Sequence, residues 1–308
     1  MYLGIDIGGT NIAAGIVSDS GEIIEKASVP TLSYRESDDI VKDIVGLSEK
    51  LMADKDIKAI GIGCPGTIDH KNGTVVYSNN IKMKNYPLAD KIKKYIDLPV
   101  FVENDANCAA LGEYAVNGEN KAVFALITLG TGVGSGIIIN GNIFRGTNGA
   151  AVEAGHMTIV HNGKTCTCGR KGCWEMYASV SALIEQTKEA IKAHPESAMA
   201  KSSEEEITGR TAFGFAKAGD KTAAEVVSRY AEYVAEGITN VENIFQPDII
   251  AVGGGISKEG DYLLEPVKEF VRKNGYNKYM EKSKIVTASL FNDAGIIGAA
   301  ENAKNSLL

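Results

Sequence analysis

The chain has 308 residues, of which 44% are hydrophobic and 23% are charged, and its formal net charge is −7. This composition excludes general disorder, and the length predicts one large domain or two modest ones. The acidic balance and the lack of a long basic run argue against nucleic-acid binding. No apolar run is long enough to cross a membrane, and the N-terminal stretch MYLGIDIGGT has neither a basic nor a long apolar region. We therefore expect no secretory signal, no membrane or nucleic-acid partner, and a cytoplasmic location.

The first part of the chain alternates short apolar runs with turn residues and amphipathic stretches. Its three opening runs predict strands of an antiparallel meander, because glycine and polar turns separate them. The predicted elements are, in chain order, strands at 2–7, 12–17 and 22–29, a helix at 38–55, a strand at 58–63, a hairpin turn at Asn72-Gly73, a helix at 88–96, a strand at 100–102 and a helix at 106–116.

The second part of the chain repeats the opening pattern. Residues 121–139 again give strand, glycine turn and strand, and a shift of 122 positions lays Ile5, Ile7 and Gly8 on Ile127, Leu129 and Gly130. Two related α/β halves are therefore expected, with a boundary near 116–120. The remaining predicted elements are helices at 178–193 and 222–245, strands at 248–252 and 285–290, and a helix at 293–303.

Three glycine-rich segments each follow a predicted strand: DIGGT at 6–10, LGTGVGSG at 129–136 and GGG at 253–255. Glycine lets the backbone come close to a ligand, and successive free N–H groups in such turns bind phosphate oxygens. The first two segments lack the Walker ending and the helix of a dinucleotide fingerprint, so simple hairpin turns are the alternative. Asp6, at a strand end, has the ligand chemistry that Mg²⁺ prefers, with turn capping as its alternative role.

The five cysteines are unevenly placed, since three of them lie within 166–173. His156, Cys166, Cys168 and Cys173 form the pattern H-x9-C-x-C-x4-C, which predicts a closed, structural tetrahedral Zn²⁺ site. A disulfide is disfavoured in a reducing compartment. His161 is a rival ligand. Cys64 and Cys108 are expected to be small core residues.

Three further carboxylates are candidates for chemistry. Asp105, at a strand-to-helix junction in the sequence Glu103-Asn104-Asp105, is placed either to cap the helix or to accept a proton from a substrate hydroxyl. Glu153 and Glu175 flank the cysteine cluster and are either solvated surface charges or contacts to a polyhydroxylated ligand.

These motifs together resemble the sugar kinases of the ROK (repressor/ORF/kinase) family, above all its bacterial glucokinases. The resemblance runs nearly end to end. It rests on DIGGT at 6–10, CPG at 64–66, END at 103–105, LGTGVGSG at 129–136, EAGH at 153–156, CTCGRKGCWE at 166–175, GGGIS at 253–257 and DAGIIGAA at 293–300.

The resemblance implies an α/β protein of the actin-like ATPase (ribonuclease H-like) fold, with two duplicated domains around a central cleft. The expected small domain comprises 1–118 with a C-terminal helix at about 294–308, and the large domain with the zinc-binding loop comprises 119–293. A homodimer is also implied. The family's repressors carry an added N-terminal DNA-binding region, and because the first motif begins at Asp6 we expect no such region here.

The resemblance also assigns roles to residues. Asp105 would be the catalytic base, and His156 is preferred to His161 as zinc ligand because it would also face the sugar. The expected sugar-binding residues are Gly66, Asn80, Asn104, Asp105, Glu153, His156 and Glu175; Asn79 stands where the family has proline, which weakens the match at Asn80. The expected nucleotide-binding residues are Asp6, Gly8, Gly9, Thr10, Asn11, Gly130, Thr131, Gly132, Gly253, Gly254 and Gly255.

The predicted function is ATP-dependent phosphorylation of a hexose, glucose at its 6-hydroxyl, with Mg²⁺ and a structural Zn²⁺. One alternative is a kinase for allose, mannose, fructose or N-acetylmannosamine, because a few hydrogen bonds decide between such sugars. The other alternative is a non-catalytic sugar-binding regulator of the same family.

Overall fold

The computed structural model describes residues 1–78, 80–118 and 120–308. It divides into two compact units. Unit 1 comprises Met1–Leu126, Gly136–Val152 and Leu290–Leu308, and unit 2 comprises Ile127–Ser135 and Glu153–Ser289. The expected domains, 1–118 with 294–308 and 119–293, use fewer chain segments than these units. They stay a prediction.

The regular elements follow the chain order expected from the apolar pattern. The strands are β1 (Tyr2–Ile7), β2 (Asn11–Val17), β3 (Ile23–Pro30), β4 (Ile60–Cys64), β5 (Thr67–Asp69), β6 (Thr74–Tyr77), β7 (Lys84–Tyr86), β8 (Val100–Asn104), β9 (Val123–Leu129), β10 (Val133–Ile139), β11 (Asn142–Ile143), β12 (Ile249–Gly253) and β13 (Lys284–Thr287). The α-helices are α1 (Ser37–Met52), α2 (Leu88–Lys93), α3 (Asp105–Asn117), α4 (Glu175–Ala178), α5 (Val180–Ala193), α6 (Thr211–Lys217), α7 (Lys221–Phe245), α8 (Asp261–Asn274) and α9 (Ala294–Ser306).

Two five-stranded sheets share one arrangement. The first has the order β3-β2-β1-β4-β8 and the second has the order β11-β10-β9-β12-β13. In the first sheet β1, β2 and β3 are antiparallel, and β4 and β8 continue it in parallel. In the second, β10 and β11 are antiparallel and β12 and β13 are parallel. Each sheet therefore joins a three-stranded meander to two parallel strands, which confirms the repeat seen in the sequence.

The strand β1 is buried on both faces because a helix covers each side. Leu3, Ile5 and Ile7 belong to the same apolar cluster as residues of α1, whereas Tyr2 belongs to a second cluster with Ile296 of α9. Full burial of one such aliphatic side chain contributes about 1.5–3 kcal/mol. The near-continuous apolar run of β1 is thus explained by its central position in the sheet.

Glycine allows α9 to approach this sheet very closely. A Cβ atom on Gly4 would lie 2.0 Å from the carbonyl oxygen of Ile296, and one on Gly61 would lie 1.8 Å from the carbonyl oxygen of Ala299. Any larger residue at either position would displace the helix. Part of the glycine content therefore serves helix–sheet packing as well as turns.

The structure differs from the predicted elements in a few places. The helix predicted at 88–96 ends at Lys93, and the strand predicted at 285–290 is shorter. The helices α6 and α8 and the strand β7 were not predicted. Pro266 lies inside α8, past the first turn, where proline removes a backbone hydrogen bond and is disfavoured, so the local sequence argues against a helix there. Among the described residues no helix is long and apolar enough to cross a membrane.

Candidate active site

The turn between β1 and β2 contains the first glycine motif. Its backbone is closed by a hydrogen bond from the N–H of Gly8 to the carbonyl of Asn11, 2.9 Å long, and the hydroxyl of Thr31 donates to the carbonyl of Gly8 at 2.6 Å. Gly9, Thr10 and Asn11 are exposed. These residues thus form a braced hairpin turn whose tip is open to a ligand.

Asp6 precedes this turn and has an unusual electrostatic environment. Burial of the carboxylate, together with the nearby charge of Asp105, raises the pKa of Asp6 to about 7. One of its close neighbours is Gly295, where a Cβ would lie 2.6 Å from the carboxyl carbon of Asp6. Two carboxylates that disfavour each other's ionisation favour a bound cation, since a cation stabilises both charged forms.

The junction between β8 and α3 places Asp105 at the start of a helix. Asn104 is the N-cap residue, because its side-chain oxygen accepts the N–H of Asn107 at 3.1 Å. The carboxylate of Asp105 accepts the N–H of Ala106 at 2.9 Å. Burial raises the pKa of Asp105, while hydrogen bonds from the backbone and from Asn104 oppose that rise. The capping role is therefore filled by Asn104, and Asp105 is left as a base of increased proton affinity.

Asn104 also joins this junction to the CPG motif. Its side-chain nitrogen donates to the carbonyl of Gly66 at 3.1 Å. Gly66 has a φ of 110°, and a Cβ there would lie 2.1 Å from the carbonyl oxygen of Tyr77, so only glycine fits. Asn80 is exposed beyond β6, and Asn79 lies outside the described residues. The structure therefore brings together Gly66, Asn104 and Asp105.

Unit 2 contains the second glycine motif, in the turn between β9 and β10. The N–H of Gly130 donates to the carbonyl of Gly132 at 3.0 Å. The carboxylate of Glu175 accepts the N–H of Val133 at 3.0 Å, and a Cβ on Gly132 would lie 2.3 Å from the same carboxylate oxygen. Thr131 is exposed at the tip. Glu175 is thus a structural brace of this loop.

The third glycine motif lies against the second. Gly254 has a φ of 87°, and a Cβ there would lie 2.1 Å from the carbonyl oxygen of Leu129, next to Gly130. Gly253 ends β12 and Gly255 is exposed. The ends of β9 and β12 therefore present two glycine turns side by side, as a phosphate-binding surface requires.

The EAGH motif packs against the beginning of β10. The N–H of Ala154 donates to the hydroxyl of Ser135 at 3.1 Å. Gly155 is buried, and a Cβ there would lie 2.2 Å from the carbonyl oxygen of Val133. Glu153 is exposed and His156 is half-buried. The expected sugar-binding residues of unit 2 thus border the same short stretch of β10.

The cysteine cluster has the geometry of a metal site. One ligand atom from each of His156, Cys166, Cys168 and Cys173 lies within 4.8 Å of the others. The Sγ of Cys166 is 3.6 Å from Nδ1 of His156, and the Sγ atoms of Cys168 and Cys173 are also 3.6 Å apart. Tetrahedral zinc with thiolate ligands separates sulfurs by about 3.8 Å. The four residues therefore fit Zn²⁺, and the exposed His161 is not among them.

The other two cysteines are buried core residues, as the sequence predicted. Cys64 and Cys108 are fully buried, and burial raises the pKa of both thiols well above the usual value. Such thiols are poor nucleophiles.

One part of the site could not be found in the sequence. Glu103 is buried and forms an ion pair with Arg145, 42 residues away, and Arg145 also donates to Asn302. Nothing in the local pattern around Arg145 indicates this contact, because a charged side chain after a short strand is expected on the surface.

Comparison with known proteins identifies the family. The model of the ROK family matches residues 2–306. The chain is 38% identical to glucokinases of Halalkalibacterium halodurans, over 96% of this chain and 93% of the relative, and of Streptomyces coelicolor, over 99% and 98%. Among solved structures it is similar to a ROK family glucokinase from Streptomyces griseus in complex with glucose and AMPPNP, with a TM-score of 0.86 and 37% identity over 99% of both chains. The expected actin-like ATPase fold is therefore confirmed, and the chain belongs to the ROK family.

Proposed function

We propose that the protein is a glucokinase that transfers the γ-phosphoryl group of ATP to the 6-hydroxyl of glucose. The observation that carries this proposal is the junction at Asp105, a carboxylate of raised pKa held at a helix N-terminus beside Asn104 and Gly66. The similarity to a glucokinase that binds glucose and an ATP analogue supports the same substrates here.

Asp105 acts as the general base. Its carboxylate accepts the proton of the glucose 6-hydroxyl while that oxygen forms a bond to the γ-phosphorus and the bond from phosphorus to the bridging oxygen of ADP breaks. The products are glucose 6-phosphate and ADP. Because burial raises the pKa of Asp105, its basicity is better matched to a proton transfer at neutral pH than that of an exposed aspartate. The remaining catalysis is positioning and charge stabilisation.

The sugar is held by hydrogen bonds from the residues expected from the family pattern. Asn104 has both of its side-chain ends engaged in the protein, so its amide has one fixed orientation toward a sugar hydroxyl. Glu175 is fixed by the N–H of Val133. The full set proposed for the sugar is Gly66, Asn80, Asn104, Asp105, Glu153, His156 and Glu175.

The nucleotide is held by the three glycine turns. Backbone groups within 8–11, 130–132 and 253–255 bind phosphate oxygens, and the exposed residues of these turns are Gly9, Thr10, Asn11, Thr131 and Gly255. Asp6 would hold Mg²⁺, which when bound would neutralise phosphate charge.

Zn²⁺ is bound by His156, Cys166, Cys168 and Cys173 and has a structural role. Four protein ligands leave no open position for a substrate. The ion holds a segment with little regular structure, which ends directly before Glu175. A homodimer and a cytoplasmic location stay predictions.

A coupled assay of purified protein tests this function. ADP formation is measured with ATP over a panel of glucose, mannose, fructose, allose and N-acetylmannosamine, and glucose is expected to give the highest kcat/KM. A much higher value for another sugar would refute the choice of glucose. Sugar binding without ADP formation would instead support a non-catalytic regulator.

A further inference from the structure

Glu103 is a buried carboxylate that the proposed chemistry does not use. Its side chain is 2% exposed, and one of its oxygens pairs with Nε of Arg145. Arg145 is held from its other side, because Nη2 donates to the side-chain oxygen of Asn302 in α9 at 3.1 Å. The carboxylate of Glu103 is thus fixed by a cation that is itself anchored to a helix.

The second oxygen of Glu103 serves the junction that contains the proposed base. It accepts the backbone N–H of Asn104 at 2.9 Å and the side-chain nitrogen of Asn107 at 3.0 Å. Asn107 in turn donates its own N–H to the side chain of Asn104. Glu103 therefore orients Asn104 twice, once directly and once through Asn107.

We infer that Glu103 is a positioning residue for phosphoryl transfer and that Arg145 holds its carboxylate in place. This inference rests on the proposed function. Fixing the N–H of Asn104 fixes the peptide between Glu103 and Asn104, and fixing the Asn104 side chain orients its hydrogen bond to the Asp105 carboxylate. Both contacts thus set the direction from which that carboxylate meets the sugar hydroxyl. A displacement of about 1 Å in such a group lowers a rate about 100-fold.

A purely structural role explains the contacts less well. A buried ion pair contributes little net stability compared with apolar side chains of similar volume. Glu113, a second buried carboxylate of the same unit, accepts the backbone N–H of Leu290 and holds a chain segment rather than the junction at Asp105. Glu103 and Glu113 thus offer a matched comparison.

The test uses two variants whose expected order in stability is the reverse of their expected order in turnover. Glu103→Gln keeps an oxygen that accepts from Asn104 and Asn107 but leaves Arg145 without its counter-charge. The double variant Glu103→Leu/Arg145→Met leaves no unpaired charge but also no acceptor. We expect stability in the order wild type, double variant, Glu103→Gln, because the Arg145 side chain is only 25% exposed and its charge is costly to leave unpaired. We expect turnover in the order wild type, Glu103→Gln, double variant.

The measurements are the melting temperature and the kcat and KM for glucose and ATP, on the full chain well below melting. The double variant is expected to lose about 100-fold in kcat with an unchanged KM for ATP, and Glu113→Gln is expected to lose stability without a comparable loss of kcat.

A double variant with wild-type kcat would overturn the inference. If that variant does not fold, Arg145→Met decides, because it removes only the group that holds the Glu103 carboxylate: a folded Arg145→Met that loses about tenfold or more in kcat with an unchanged KM for ATP supports the inference, and a folded variant with wild-type kcat contradicts it. A wild type without glucose phosphorylation would refute the proposed function itself, whereas an active wild type with a fully active double variant would refute the role of Glu103 alone.

Discussion

The two five-stranded sheets have the same strand order but different chemistry at their strand ends. In the first sheet β1 ends near Asp6 and β8 ends at Asn104, directly before Asp105. In the second sheet the position that corresponds to Asp6 is Thr128, and the ends of β9 and β12 carry glycine turns. The two copies thus share one topology, and in both a glycine turn follows the first strand, but only the first copy carries carboxylates, Asp6 and Asp105, at these strand ends.

The connections between the strands differ as strongly. The first meander passes into the helix α1 soon after β3, whereas the second is followed by a long segment with little regular structure that contains the cysteine cluster. A segment with few helix or strand hydrogen bonds needs another source of order, and the four proposed metal ligands would provide it. We therefore expect the two copies to respond differently to removal of metal.

Loss of one zinc ligand is the change with the largest expected effect. Cys173→Ser should reduce the metal content from about one Zn per chain to nearly none and should destabilise unit 2, since structural zinc sites are worth about 10 kcal/mol or more. Cys108→Ala is the control, because Cys108 is equally buried but lies outside the cluster. Elemental analysis measures the outcome. Wild-type protein that is folded and active without metal would contradict the zinc assignment.

Removal of the proposed base has the next largest effect. Asp105→Asn should lower kcat about 10³-fold, equivalent to about 4 kcal/mol, because the amide cannot accept the proton. Glucose binding, followed by calorimetry, should persist, since the side chain keeps its shape. Asp97→Asn, an exposed change in the same unit, should leave kcat unaltered. Near-normal turnover in Asp105→Asn would exclude Asp105 as the base.

The raised pKa of Asp6 gives a pH dependence to the stability of the protein in the absence of Mg²⁺. A carboxyl whose pKa is about 7 in the folded state and 3.8 in the unfolded state binds its proton more tightly when folded. Its contribution is therefore fully present below about pH 4 and is lost as the pH rises toward 7, by about 1.4 kcal/mol per pH unit at most.

The change Asp6→Asn removes this dependence. Urea unfolding from pH 4 to pH 8 in buffer without Mg²⁺ should show the variant gaining stability relative to wild type as the pH rises. Asp97→Asn again serves as the control and should run parallel to wild type. Parallel curves for Asp6→Asn as well would mean that Asp6 ionises normally.

The sequence predicted local features well and long-range contacts poorly. The turns at Gly8 and Gly130 and the clustering of Cys166, Cys168 and Cys173 were predicted because each depends on a short spacing. The ion pair of Glu103 with Arg145 and the bond from Val133 to Glu175 join residues 42 positions apart, and no local pattern records such pairs. The role of Asn104 as the helix cap was missed for a related reason, since the neighbouring Asp105 is an equally good capping residue by type.

The variant Glu175→Gln tests whether unit 2 also contributes a carboxylate to glucose binding. Its expected effect on kcat/KM is the smallest of those predicted here. In Glu175→Gln the side-chain oxygen still accepts the N–H of Val133, so the glycine turn keeps its brace, but the charge is lost. A hydrogen bond to a charged group is worth about 1 kcal/mol more than a neutral one, so kcat/KM for glucose should fall about tenfold. Glu185→Gln, an exposed change in α5, is the control and should have no effect. If kcat/KM of Glu175→Gln matches that of the control, the Glu175 carboxylate only braces the loop. Functional carboxylates would then be confined to the strand ends of the first sheet.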